Sequence, residues 1–143
     1  MNPDGHSLIE LLLALSIAGI LAGLAAPPLG HARDVLAVRA ARAEIVSLAA
    51  VARSTAILTG GATLVIDVSA GSAWVEAPAG VRIGDVQHPG SRHGVSLTAQ
   101  SPRLSLRYDG LGIGRMTNAV LRVRSGRVTG TLTVSAYGRV RQS

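Results

Sequence analysis

The chain changes its pattern of apolar and polar positions twice. Leu8 and Ile9 open an apolar stretch that continues from Leu11 to Ala26 and closes at Pro27-Pro28, with one carboxylate, Glu10, just inside its start. Beyond Gly30 the pattern becomes amphipathic. Val38, Ala41, Ile45, Leu48, Ala52 and Ala56 recur at spacings of 3, 4, 3, 4 and 4, which places one apolar stripe along a helix and leaves Arg39, Arg42 and Arg53 off it. Together these predict one helix over roughly residues 7 to 58, ended by Thr59-Gly60-Gly61. A bend is expected at Pro27, which lacks an N–H and crowds the carbonyl of Gly23.

From Ala62 the pattern turns to strands. Thr63–Val68, Ala73–Glu76, Val81–Ile83, Val95–Thr98, Leu104–Tyr108, Ala119–Arg124 and Val128–Ser135 are β-rich, and Gly, Ser and Pro punctuate them at Ala70-Gly71-Ser72 and Pro78-Ala79-Gly80. Ser125-Gly126 is a hairpin signal. His88-Pro89-Gly90-Ser91-Arg92-His93-Gly94 reads as an exposed loop.

The first thirty residues admit three readings. A cleaved secretory signal needs a basic start and a charge-free apolar run, and here the start is acidic and Glu10 interrupts. A plain anchor fits the length, since Leu11 to Ala26 is 16 residues and a start at Ser7 makes 20. Neither explains Glu10: a charge inside hydrocarbon costs roughly 2.5–3.5 kcal/mol or more, so it asks for a counter-charge. Gly5-His6-Ser7-Leu8-Ile9-Glu10 and the run behind it resemble the N-terminus of type IV pilins and type II secretion pseudopilins. The resemblance implies that prepilin peptidase cuts between Gly5 and His6, leaving Glu10 as the fifth mature residue to neutralise the new amine of a neighbouring subunit. It also implies a helix-bending role for Pro27. The chain departs from that pattern with His6 where Phe is usual, Ser7 where Thr is common, and a short leader without basic residues.

The later segments carry a second resemblance. Ala52-Arg53-Ser54-Thr55-Ala56-Ile57, Trp74, Tyr108-Asp109-Gly110-Leu111-Gly112 and the C-terminal Val134-Ser135-Ala136-Tyr137-Gly138-Arg139-Val140-Arg141 are similar to the GspH/FimT class of minor pseudopilins and minor pilins. The expected fold is therefore α+β and pilin-like, a long N-terminal helix packed on a C-terminal antiparallel β head. The expected organisation is a leader over 1–5, a hydrophobic helix over 6–30, its amphipathic second half over 31–60 and a β-rich head over 61–143. Arg33, Arg39 and Arg42 follow the span with no basic residue before it, so charge alone would keep the head in the cytoplasm. The resemblance implies a single-pass inner-membrane protein with its head in the periplasm.

Charge then narrows the function. All fourteen basic residues are arginine, and from Arg103 to Ser143 eight of them face one acid, Asp109, a local balance of 8 − 1 = +7. Such a segment suits a polyanion or an acidic partner. Alternate residues of a strand share a face, so Arg139 pairs with Arg141 and Arg122 with Arg124, and neighbouring strands would join the two pairs into one guanidinium cluster. In FimT-like minor pilins the Gly-Arg-x-Arg segment is associated with DNA uptake, which points to Arg139 and Arg141; an edge strand protected by charge is the structural alternative.

Enzyme chemistry has little to use. With no Cys and no Lys there is no thiolate, disulfide, Schiff base or Walker lysine. Gly110-Leu111-Gly112-Ile113-Gly114 is followed by a strand rather than the helix a phosphate loop needs, and reads as a flexible turn. His88 and His93 read as solvated loop residues rather than metal ligands, and Ser72, Ser96 and Ser135 lie in no nucleophile elbow. We expect no catalysis, cofactor, metal or small-molecule substrate. The expected partners are other pilin-like subunits, prepilin peptidase, the inner membrane and, in the alternative reading, DNA.

Overall fold

The computed structural model describes residues 7–115, 119–135 and 137–142, with only the backbone given for 24–28. The chain divides into two compact units, Met1–Arg33 and Asp34–Ser143. Helix α1 (Leu8–Thr59) supplies residues to both.

In the first unit the apolar side chains of α1 have no protein to cover them. Leu8, Ile9, Leu11, Leu12, Leu13, Leu15, Ile17, Ile20 and Leu21 are all exposed. Among the described residues no helix is long and apolar enough to cross a membrane. The described side chains of the apolar stretch stop at Gly23, short of the ~20 residues a span needs. Pro27 lies within the helical assignment, and its side chain falls outside the described residues.

The second unit is a two-sheet structure with the remainder of α1 against it. Sheet A has the order β3-β2-β1-β5, formed by β1 (Gly61–Asp67), β2 (Ser72–Glu76), β3 (Arg82–Gln87) and β5 (Arg103–Asp109). Sheet B has the order β4-β6-β7-β8, formed by β4 (Ser96–Ala99), β6 (Ala119–Ser125), β7 (Val128–Val134) and β8 (Val140–Gln142). Every pairing is antiparallel. Strict alternation on β5 and β6 sends Leu104, Leu106, Tyr108, Leu121 and Val123 inward, where they join Leu64, Ile66, Val75, Leu132 and Val134 in one core.

The helix enters that core through small residues. Val38, Ala41, Ile45, Ala49, Ala52 and Ala56 are buried, while Leu48 is only partly so. The buried stripe therefore turns through Ala49 rather than the larger Leu48, because an alanine lets the helix lie closer to the sheets. Gly130 on β7 meets the same need from the other side, since a Cβ there would fall 2.8 Å from Val38 Cγ1 and 2.7 Å from Arg42 Cδ.

Three backbone crossings hold the connections. Gly90 packs on Gly71 and Gly114 on Gly138 so closely that an added Cβ would strike the partner's backbone, and a Cβ on Gly110 would lie 3.3 Å from the Gly60 backbone. The first of these corrects the expected loop. Pro89–His93 forms a short helix, α2, with Pro89 and Gly90 buried and the Gly90 amide donating to the Gly71 carbonyl at 2.9 Å. Pro-Gly signalled a turn, but proline also suits the first helical turn, where its missing N–H has no partner to lose.

Candidate functional site

Of the residues singled out at the N-terminus, Gly5 and His6 lie outside the described residues, as does the Pro27 side chain. Glu10 stands in the first turn of α1. Its amide donates to the Ser7 carbonyl at 2.9 Å and lies 3.4 Å from Ser7 Oγ. Ser7-Leu8-Ile9-Glu10 thus has the spacing of a capping box, in which a hydroxyl and a carboxylate three residues apart serve the open amides of a helix start. The acid also complements the positive end of the helix dipole. The family resemblance implies only a role between subunits for Glu10; Ser7, three residues before it, is the sequence signal for this local one.

The four arginines of the C-terminal segment separate into two places. Arg122 and Arg124 lie on the exposed face of β6, opposite Thr98 and Ser96 of β4 and Thr131 and Thr129 of β7. Arg141 lies on β8 opposite Thr133 of β7. The strand β7 therefore stands between them, so the two pairs do not lie on neighbouring strands as expected. Two strand spacings sideways and two residues along put the Arg122 and Arg141 Cα atoms roughly 12 Å apart. Arg124 is turned to its own hairpin, its Nε donating to the Gly126 carbonyl at 3.0 Å.

Arg139 and Arg141 do come together. With Ser135 and Tyr137 they line one open groove. The chain reaches it through a closed turn in which Ser135 N donates to the Arg139 carbonyl at 3.0 Å and Gly138 N to the Ser135 carbonyl at 2.8 Å. Gly138, at φ +75°, is pressed against Gly114 and the Tyr108 ring, and Tyr108 Oη donates to its carbonyl at 3.3 Å. Burial pushes the Tyr108 phenol above its ordinary value, partly opposed by the positive field of Arg53.

The glycine-rich segment is not a loose turn. Asp109 Oδ1 accepts the amides of Leu111 at 3.0 Å and Ile113 at 2.9 Å, and Gly112 N donates to the Asp109 carbonyl at 2.8 Å. The Ile113 amide chiefly holds the Asp109 carboxyl below the usual carboxylate range. Gly112, at φ +71°, is buried against Arg53 and Ile57 of α1.

One histidine departs from the solvated reading. His93 Nε2 lies 2.8 Å from Glu44 Oε2 on α1, while Arg92 Nη1 meets Glu44 Oε1 at 3.0 Å. The pair fastens α2 to the helix through an acid 49 residues away in sequence, too distant for spacing to reveal. His88 is exposed. Among the described residues no cluster of His, Cys, Asp or Glu is arranged to hold a metal ion.

Comparison with known proteins agrees with both halves of this description. Residues 1–26 match the family model for the prokaryotic N-terminal methylation motif. Two crystal structures of the Pseudomonas aeruginosa type IV minor pilin FimU share the fold. One superposes with a TM-score of 0.58 at 14% identity over 74% of this chain and 87% of that one. The other gives 0.56 at 15% identity over 73% and 91%. No curated protein matches the chain in sequence. The chain thus carries a prepilin-type N-terminal methylation motif and shares the α+β fold of a type IV minor pilin.

Proposed function

We propose that the protein is a minor pseudopilin, cut by prepilin peptidase between Gly5 and His6 and anchored in the bacterial inner membrane with its β head in the periplasm. It joins other pilin-like subunits in a short filament of a type II secretion system. Its mechanism is assembly, with no bond made or broken by its own residues. The observation that carries this reading is the exposed apolar surface of α1 from Leu8 to Leu21, lying on the segment that bears the methylation motif. Lipid covers such a surface before assembly, removing it from water at a gain of roughly 25 cal/mol per Å² of apolar area, and sister helices cover it afterwards through close packing. Glu10 then meets the His6 amine of a neighbour and sets the register.

Two measurements test it. Mass spectrometry of the mature chain is expected to find His6 at the N-terminus; a chain beginning at Met1, or well beyond residue 20, sinks the proposal. Glu10→Ala is expected to leave the protein in the membrane but out of filaments, and normal incorporation would remove Glu10 from assembly. Because Glu10 also lies in the capping box, Ser7→Ala serves as the control that disturbs the cap alone.

A second reading, duplex DNA binding during uptake, is favoured by the groove that gathers Tyr137, Arg139 and Arg141. Paired guanidinium contacts to phosphate give salt-sensitive affinity without sequence preference. The full chain in detergent is then expected to shift DNA at low salt and to lose the shift with Arg139→Ala plus Arg141→Ala. Loss with Arg122→Ala plus Arg124→Ala instead would move the contact to β6.

A further inference from the structure

We infer that one end of the β head is a docking surface for an acidic protein, with an apolar centre of Ile57, Leu111, Ile113 and Tyr137 and a basic rim that includes Arg53 and Arg139. The four central residues are 56%, 77%, 43% and 81% exposed. They belong to three separate stretches of chain that the fold brings together. Gly112 carries Leu111 and Ile113 on either side of it and would place a Cβ 3.1 Å from Ile57 Cδ1 and 3.0 Å from Arg53 Cγ. Gly114 donates its amide to the Tyr137 carbonyl at 3.1 Å.

Nothing in the head's own stability calls for Leu111 and Ile113 to be apolar. Gly112 between them is buried and makes the contact with α1, while the two side chains face outward. The Asp109 carboxylate holds both of their amides, so the loop presents these side chains in a fixed geometry. A surface ordered before binding has less conformational freedom to lose when a partner arrives. A patch of this kind rimmed by polar groups marks an interaction site, and tyrosine and arginine are both among the residues enriched where binding energy concentrates.

The rim decides the partner. Arg53 borders Gly112, Arg115 is bonded to Asp109 at 3.5 Å with its side chain mostly exposed, and Arg139 and Arg141 border Tyr137. The acid of this region, Asp109, is occupied by the loop it holds. A nucleic acid would use the arginines and gain nothing from Ile57, Leu111 or Ile113. A second copy of the chain would set arginines against arginines, an arrangement that costs several kcal/mol where like charges meet. A protein with an apolar centre and an acidic surround uses every group present. This surface takes only Arg53 and Ile57, near the C-terminal end of α1, and so stands apart from the filament reading, which concerns the first turns of that helix.

The test uses the full chain in its native membrane with a photo-crosslinking residue in place of Leu111 or, separately, Tyr137. The expected result is one protein adduct at both positions, to a partner whose sequence is acidic. Arg53→Glu with Arg139→Glu is expected to lower its yield roughly tenfold, whereas Arg127→Glu, on the β6–β7 turn, leaves it within about twofold. All three changed residues are exposed, and an unaltered unfolding midpoint checks that the head still folds. Adducts to DNA, adducts to another copy of the chain, no adduct, or equal loss with Arg127→Glu would overturn the inference. Failure of Glu10→Ala to block assembly overturns the filament reading alone, because the adduct at Leu111 is scored independently.

Discussion

At the scale of single residues, the C-terminal segment is held by Gly138 more than by any of its charges. Its positive φ and its contact with Gly114 leave no room for a side chain, and a Cβ would fall 2.8 Å from both Gly114 Cα and Tyr108 Cε1. Gly138→Ala is expected to lower stability by about 1–3 kcal/mol, read as a shift in the denaturant midpoint, and to loosen Arg139 and Arg141 together. Asp109 makes a second, pH-dependent prediction. Its carboxyl titrates below the usual 3.8 in the folded chain, so its contribution is present above that pH and is lost as pH falls through the folded value. Protection of the Leu111 and Ile113 amides, measured against their intrinsic exchange, is expected to fall only as pH drops below 3.8, and Asp109→Asn to remove that dependence. Tyr108 acts in the opposite direction. Its raised value means that stability declines above pH 10, where the unfolded phenol ionises first.

At the scale of elements, α1 and the sheets show which parts of the pattern could be read from sequence. The 3-and-4 spacing found the helix and five of the six positions that are buried among its described residues, because a single stripe facing one core leaves a periodic trace. It chose Leu48 over Ala49, since size in the sequence says nothing of how near the sheets come. Strands β1, β5, β6 and β7 were legible from alternation or from β-branched residues. Strand β3 runs to Gln87, past the expected Ile83, because its mostly exposed residues bury no face to mark it. Sheet order lies beyond local pattern altogether, and that is why Arg122 and Arg141 were expected side by side while β7 separates them. The closeness of helix and sheet gives the prediction for this scale. Ala52→Leu forces extra volume into a fully buried site and is expected to cost about 1–3 kcal/mol, whereas Arg39→Ala on the exposed side should stay within about 0.5 kcal/mol.

At the scale of the whole molecule, the division at Arg33 separates two kinds of surface. The residues before it expose large apolar side chains; those after it enclose a core of their own. A chain begun at Asp34 is therefore expected to unfold cooperatively in plain buffer, with a circular dichroism midpoint close to that of the full chain in detergent. Aggregation of that shorter chain would mean that the head depends on residues before the division. The N-terminal motif was legible because it is local and chemically odd, an acid among leucines, whereas the docking end joins residues 57, 111, 113 and 137, which no linear pattern connects.

The glycine crossings carry one more consequence. Pinning of connections in small exported domains is commonly the task of cystines, which wait on an oxidant and can pair wrongly. This chain has no cysteine, and it ties its loops by bare main chain resting on bare main chain at three points. Its maturation asks nothing of the cell's sulfur chemistry: thiol reductants should leave the melting curve unmoved, and the head can reach its final form in any compartment, oxidising or reducing, as soon as the polypeptide is free to collapse.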